Sequence, residues 1–255
     1  MQNIPVAAPL DVDFAGRGAE RALASVVRVV NRLAGSTGTG FLHYSGRILT
    51  TEQVVRGAGP ADIVLRTSGE ATVAARAIHA DPRVGLALVE PAAPFENIPT
   101  LPLSSPSTLT IGRLLSSWGY PSDYLGLRPL LTIGYLAGTE TAGGVTRYVL
   151  NAAFNSGNSG APLVRLETGD VIGIVTIEPA PLPPQVQSVL AALARRQSGS
   201  QETSTPPDAS PSPVDEQQVI SQVRQFLRSE TRPVVGRAVI LEDLRSFLEA
   251  QALSP

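Results

Sequence analysis

The residues with the most chemistry to offer lie in one run, NAAFNSGNSGAPLV, from Asn151 to Val164. Ser159 stands between Gly157 and Gly160 with Pro162 just beyond. Glycine takes positive φ at little steric cost, so the stretch reads as a tight turn. Such a turn lets the N–H groups of Gly157 and Ser159 point into one concavity beside the Ser159 hydroxyl, the layout of a nucleophile next to an oxyanion hole. A serine attacks a carbonyl only when a base takes its proton, and bases are scarce here. The chain has no Cys and two histidines, His43 and His79. Both read as exposed turn or strand-end residues, and neither position naturally faces Ser159. Without thiols or a local carboxylate cluster, no metal site or other cofactor is expected.

Other segments offer less. GSTGTG, residues 35–40, has the glycines of a phosphate loop, but no Lys follows and FLHY continues as a strand instead of opening a helix. All 20 basic residues are Arg, set against 22 acidic ones, and charged residues are 16% of the 255. With no cluster of four arginines, a nucleic-acid groove or an anionic-membrane patch is not expected. The longest apolar run, residues 171–177, is far shorter than the ~20 residues of a membrane helix, so no membrane insertion is expected either. The N-terminal MQNIPVAAPLDVD lacks a basic start and meets Asp11 early. It does not read as a signal peptide, which favours the cytoplasm.

The elements that must hold the serine turn are β-strands. Gly and Pro, 23 and 22 of them, punctuate short segments rich in Val, Ile, Leu and Thr. Six strands are expected within 25–90 (SVVRVV, TGFLHY, RILTT, DIVLR, ATVAARAI, GLALVE). Six more are expected within 112–240 (GRLLSSWGY, LLTIGYLAG, TRYVLN, APLVRL, VIGIVTI, VVGRAVI). A proline-rich stretch, 91–110, separates the two sets. Two six-stranded antiparallel barrels follow, an all-β fold. The domain reading is an N-terminal segment 1–24, a first barrel 25–90, a linker 91–110 and a second barrel 111–255. LEDLRSFLEAQAL, from Leu241, has helical spacing and predicts a C-terminal helix on the second barrel. An insertion, 178–232, interrupts the second set. Its pattern reads as a helix with apolar residues at 186, 189, 190 and 193, a Pro/Ser linker, and a helix capped by Asp215.

Six motifs in order then resemble the chymotrypsin-fold, trypsin-like serine proteases, and within them the HtrA (Deg) branch. They are GTGFLHYSGRILTTEQVV, DPRVGLALVE, IGRLLSSWGYP, NAAFNSGNSGAPLV, VIGIVTI and VGRAVILEDLRSFL. The resemblance puts Ser159 at the nucleophile position. It puts Gln53 where the family carries its histidine base and Gly85 where it carries the orienting aspartate. A carboxamide is negligibly basic, so Gln53 can orient but cannot accept the serine proton. The resemblance also places a specificity-pocket floor at Ala153 and walls at Thr176, Ile177, Gly236 and Ala238. These are small and apolar, and suited either to an aliphatic side chain or to filling the barrel. Ala161 stands where the family usually has glycine and is expected to crowd the turn. Asp81 is expected to brace its own loop, and Glu52 to point away from the cleft. The implied function is that of a pseudoprotease that binds a peptide or protein partner or serves as a scaffold. The alternative is a slow or unconventional serine hydrolase that uses Ser159. Partner identity and oligomeric state are not legible.

Overall fold

The computed structural model describes residues 16–105, 109–177 and 235–253. Every segment expected to be a strand is one. β1 (Val26–Asn31), β2 (Ser36–Leu42), β3 (Ile48–Thr51), β4 (Ile63–Thr67), β5 (Thr72–Asp81) and β6 (Leu86–Pro91) close into an antiparallel barrel in the order β1-β2-β3-β6-β5-β4. β7 (Leu114–Gly119), β8 (Leu130–Ala142), β9 (Val145–Asn151), β10 (Pro162–Arg165), β11 (Val171–Thr176) and β12 (Gly236–Ile240) close a second barrel in the equivalent order, β7-β8-β9-β12-β11-β10. Closure leaves neither sheet with an open edge.

The burial pattern explains why several strands read as continuous apolar runs. In β6, Ala87 and Val89 join the core of the first barrel, whereas Leu86 and Leu88 join a cluster shared with Trp118, Tyr120, Val164 and Ile174 of the second. Alternate side chains of one strand thus bury on opposite faces. The second barrel has its own core around Leu115, Leu136, Leu150, Leu163, Ile172 and Val175.

Three short α-helices and one 3-10 turn, Pro60–Asp62, complete the described fold. α1 (Gly16–Ser25) precedes β1 and was not foreseen, because the N-terminal segment carries no helix-start signal. Its Ala22 is fully buried in the shared cluster. α2 (Glu52–Val55) follows β3 and carries Gln53. α3 (Leu241–Ala250) is the expected C-terminal helix, continuous with β12. It buries Leu241, Leu244, Phe247 and Leu248, each burial stabilising the fold by about 1.5–3 kcal/mol. The helices and the Asp215 cap expected within 178–232 lie outside the described residues.

His43 departs from expectation. It sits in the turn between β2 and β3 as anticipated, but it is fully buried. Its Nδ1 lies 2.9 Å from Ser45 Oγ and accepts the Ser45 N–H at 3.3 Å, which leaves the proton on a buried Nε2 that has no partner. Burial, helped by Arg47, lowers the imidazole pKa to about 4. The unfolded chain binds this proton near pH 6.5 and the folded chain near 4, so the contribution is complete above 6.5 and lost as the pH falls through 4. That difference predicts a loss of about 3 kcal/mol of stability between pH 7 and 4 from this one group. Urea denaturation of wild type and His43→Gln at both pH values checks it. Equal pH dependence in the two proteins would refute it.

Candidate active site

The turn bearing Ser159 joins β9 to β10. Gly157 and Gly160 have φ of 94° and 89°. The Asn158 N–H donates to Asn155 O and the Ala161 N–H to Asn158 O, each at 2.9 Å. The turn is tied to both barrels. Gly160 N–H donates to Val175 O at 2.9 Å, and Thr39 N–H, from the first barrel, donates to Ser159 O at 2.9 Å. The Thr39 hydroxyl donates to Gly157 O at 2.6 Å and accepts the Tyr120 N–H at 2.9 Å. Thr39, which sequence reasoning passed over, therefore positions the serine turn from a distant strand. The Ala161 methyl is fully buried in the core of the second barrel.

The structure brings Gln53 onto Ser159. Gln53 Nε2 donates to Ser159 Oγ and, at 2.9 Å, to Ile177 O. A carbonyl oxygen only accepts, so the amide nitrogen, not its oxygen, must face Ile177. Ile177 N–H also donates to Ser159 Oγ, at 3.1 Å. Gly85 lies beside this assembly, its carbonyl accepting the Glu52 N–H at 3.0 Å. The nearest feature to a side chain at position 85 is cationic. Arg147, from β9, donates to Val84 O at 2.9 Å, and a Cβ added at Gly85 would lie 3.4 Å from its Nη2.

The other acids and bases are engaged elsewhere. The Glu52 carboxylate grips Arg56 through Nε at 3.0 Å and Nη2 at 2.6 Å. Asp81 accepts the Arg83 N–H at 2.8 Å, and that bond, with the guanidinium of Arg83, holds its carboxyl below the usual range. His79 is exposed on β5. Among the described residues, no imidazole or carboxylate is hydrogen-bonded to Ser159, and no three His, Asp or Glu gather where they could hold a metal.

Of the pocket residues, Thr176, Gly236 and Ala238 are buried, Ile177 is half-buried and Ala153 is exposed. Phe154, next to the supposed floor and missing from the sequence reading, packs its ring on Gly236. A Cβ there would fall 2.4 Å from two ring carbons. Phe154 and Ile177 both pack on the core cluster that contains Ala238. An aromatic residue adjacent to the floor position was the available signal.

Two antiparallel six-stranded barrels, a serine on a glycine turn of the second and a facing loop from the first define the chymotrypsin-like serine protease class. Residues 38–174 match the model of the trypsin-like peptidase domain. The chain belongs to that family, close to its HtrA branch. It is 33% identical over 148 residues to a probable periplasmic serine endoprotease, DegP-like, of Pseudomonas fulva, covering 56% of this chain and 29% of that relative. A protein of the same name from Hahella chejuensis is 34% identical over 146 residues, covering 55% and 29%. The chain thus spans less than a third of the length of these relatives. Among solved structures, the HtrA-type protease AlgW with a tripeptide superposes with a TM-score of 0.55 at 24% identity, covering 62% of this chain and 52% of that one. The Rv3671c protease of M. tuberculosis, in an inactive form, gives 0.53 at 25% identity, covering 68% and 87%.

Proposed function

We propose that this chain is a catalytically silent member of its family, a pseudoprotease that serves as a peptide- or protein-binding module or scaffold. One observation carries the reading: Ser159 Oγ accepts hydrogen bonds from Gln53 Nε2 and Ile177 N–H and touches no base. Attack needs a lone pair on the oxygen and a group to receive the proton. Here the lone pairs point at donors, and Gln53 has no basicity near neutral pH. Position 85 supplies no carboxylate to orient a base.

A fluorophosphonate probe is expected to leave Ser159 unlabelled under conditions that label an active serine protease to completion. Stoichiometric labelling would sink the proposal. The intact glycine turn and the protease names of the relatives favour a second reading, a slow hydrolase that uses Ser159. That reading requires peptide or ester hydrolysis that disappears in Ser159→Ala, and an unchanged rate in the variant eliminates it.

A further inference from the structure

The loop that joins β7 to β8, residues 120–129, lies against the Ser159 turn. Ser122 N–H donates to Ser156 O at 2.7 Å. A Cβ added at Gly157 would fall 2.2 Å from Tyr120 O and 2.6 Å from Ser122 N, so the backbones of loop and turn meet with no side chain between them. Close-packed groups transmit a displacement, and a shift of the loop must therefore move Gly157 as well. Packing holds the base of the loop but not its tip. Tyr120 and Pro121 are buried, whereas Ser122, Asp123, Leu127 and Arg128 are exposed and Leu125 is 90% exposed. A segment with so few apolar contacts keeps one shape only if its backbone is tied down.

The tie comes from the other barrel. Arg28, in β1, donates from Nη2 to Tyr124 O at 3.1 Å and to Gly126 O at 2.8 Å, and its guanidinium carbon stands 4.6 Å from the centre of the Tyr120 ring. One planar group thus fastens the tip of the loop to its base. A guanidinium can donate in its plane while laying its face on an aromatic ring, which the compact ammonium of a lysine cannot do. Arg28 pairs across the sheet with Thr39 of β2. Thr39 is the residue whose N–H and hydroxyl hold Ser159 O and Gly157 O. Two cross-strand neighbours therefore reach the second barrel together, Thr39 gripping the turn and Arg28 the loop on which the turn rests.

We propose that Arg28 is a positioning residue for the Ser159 turn, acting through residues 120–126. The chain of contacts runs from the guanidinium to Tyr124 O, Gly126 O and the Tyr120 ring, and from the loop to Ser156 and Gly157. Arg28 does this whether Ser159 binds a ligand or hydrolyses one, so its role stands apart from the non-catalytic reading.

Amide hydrogen exchange, followed residue by residue by NMR on the full chain, Arg28→Ala and Arg28→Lys, tests the proposal. Charged donors leaving two carbonyls should speed exchange at Ser122 and Tyr124 at least about tenfold in both variants. The effect should pass to Asn158, whose N–H donates to Asn155 O within the turn, as an increase of about fivefold, while Leu88 and Val89 of β6 stay within about twofold. Guanidinium ion, added to Arg28→Ala well below denaturing concentration, should return the lost protection, and methylammonium at equal ionic strength should not. Arg28→Lys keeps the charge and most of the stem, so it reports on the planar group even if Arg28→Ala fails to fold. Faster exchange at Ser122 and Tyr124 with Asn158 unchanged overturns the coupling to the turn. An equal rise in β6 would mean a general loss of stability, and full protection in Arg28→Lys would mean that any cation serves; either result overturns the proposal. Failure of the non-catalytic reading is seen separately, as fluorophosphonate labelling of Ser159.

Discussion

Gln53→His is expected to return about a hundredfold in ester hydrolysis over the parent chain, and adding Gly85→Asp to return less than about tenfold more. Loss of the base costs related hydrolases about a millionfold, and loss of the orienting carboxylate alone about 10⁴-fold, so a serine–histidine pair without its acid recovers only the difference. The second substitution looks like the missing repair, but the structure opposes it. Gly85 has φ of 77°, a region that costs an L-residue about 1–2 kcal/mol. A Cβ there would stand 3.4 Å from Arg147 Nη2, so a new carboxylate has a guanidinium at hand to pair with in place of an imidazole at position 53. Steady-state hydrolysis of an activated ester by the parent, the single and the double variant measures both steps. A further gain of a thousandfold or more from the aspartate would show that position 85 still points where an orienting acid must.

Gly160→Ala is expected to cost about 4 kcal/mol or more, placing it among the exceptional single substitutions. Two effects add. The φ of 89° is strained for alanine, and the new Cβ would fall 1.9 Å from Thr39 O and 2.3 Å from Thr50 Oγ1. Neither neighbour is free to retreat, because Thr50 Oγ1 donates to Thr39 O at 2.6 Å and Thr39 N–H holds Ser159 O at 2.9 Å. The backbone of β2 and the serine turn approach so closely that only a hydrogen atom fits between them. Gly143→Ala is the control: its φ is 58°, with nothing within 4 Å of the added Cβ. It should lose only about 1–2 kcal/mol. Urea midpoints of the two variants compare them directly, and similar losses would mean that backbone strain alone, not the approach of the two barrels, is at stake.

The strands were readable because their signals are local. β-Branched and aliphatic residues between Gly, Pro and Asp mark a strand wherever it ends up in space, whereas the burial of LALV in β6 on both faces emerged only with the two barrels in place. The α3 stripe was equally plain. α1 was missed because ten residues with no capping signal say little by themselves. His43 was misjudged as exposed because a hairpin turn usually faces water, and only the packing around residues 42–47 decides otherwise.

Local sequence determined which residues enter strands, that a glycine turn would carry Ser159, and that position 53 holds a carboxamide and position 85 no side chain. Tertiary structure alone decided what those residues touch. Gln53 reaches Ser159 across 106 residues and Ile177 across 124, Arg147 reaches Val84 across 63, and Phe154 meets Gly236. Periodicity encodes which face of a strand a side chain takes, whereas these meetings depend on how two barrels close and pack. That packing is set by the summed burial of the shared core and is written in no single stretch of chain.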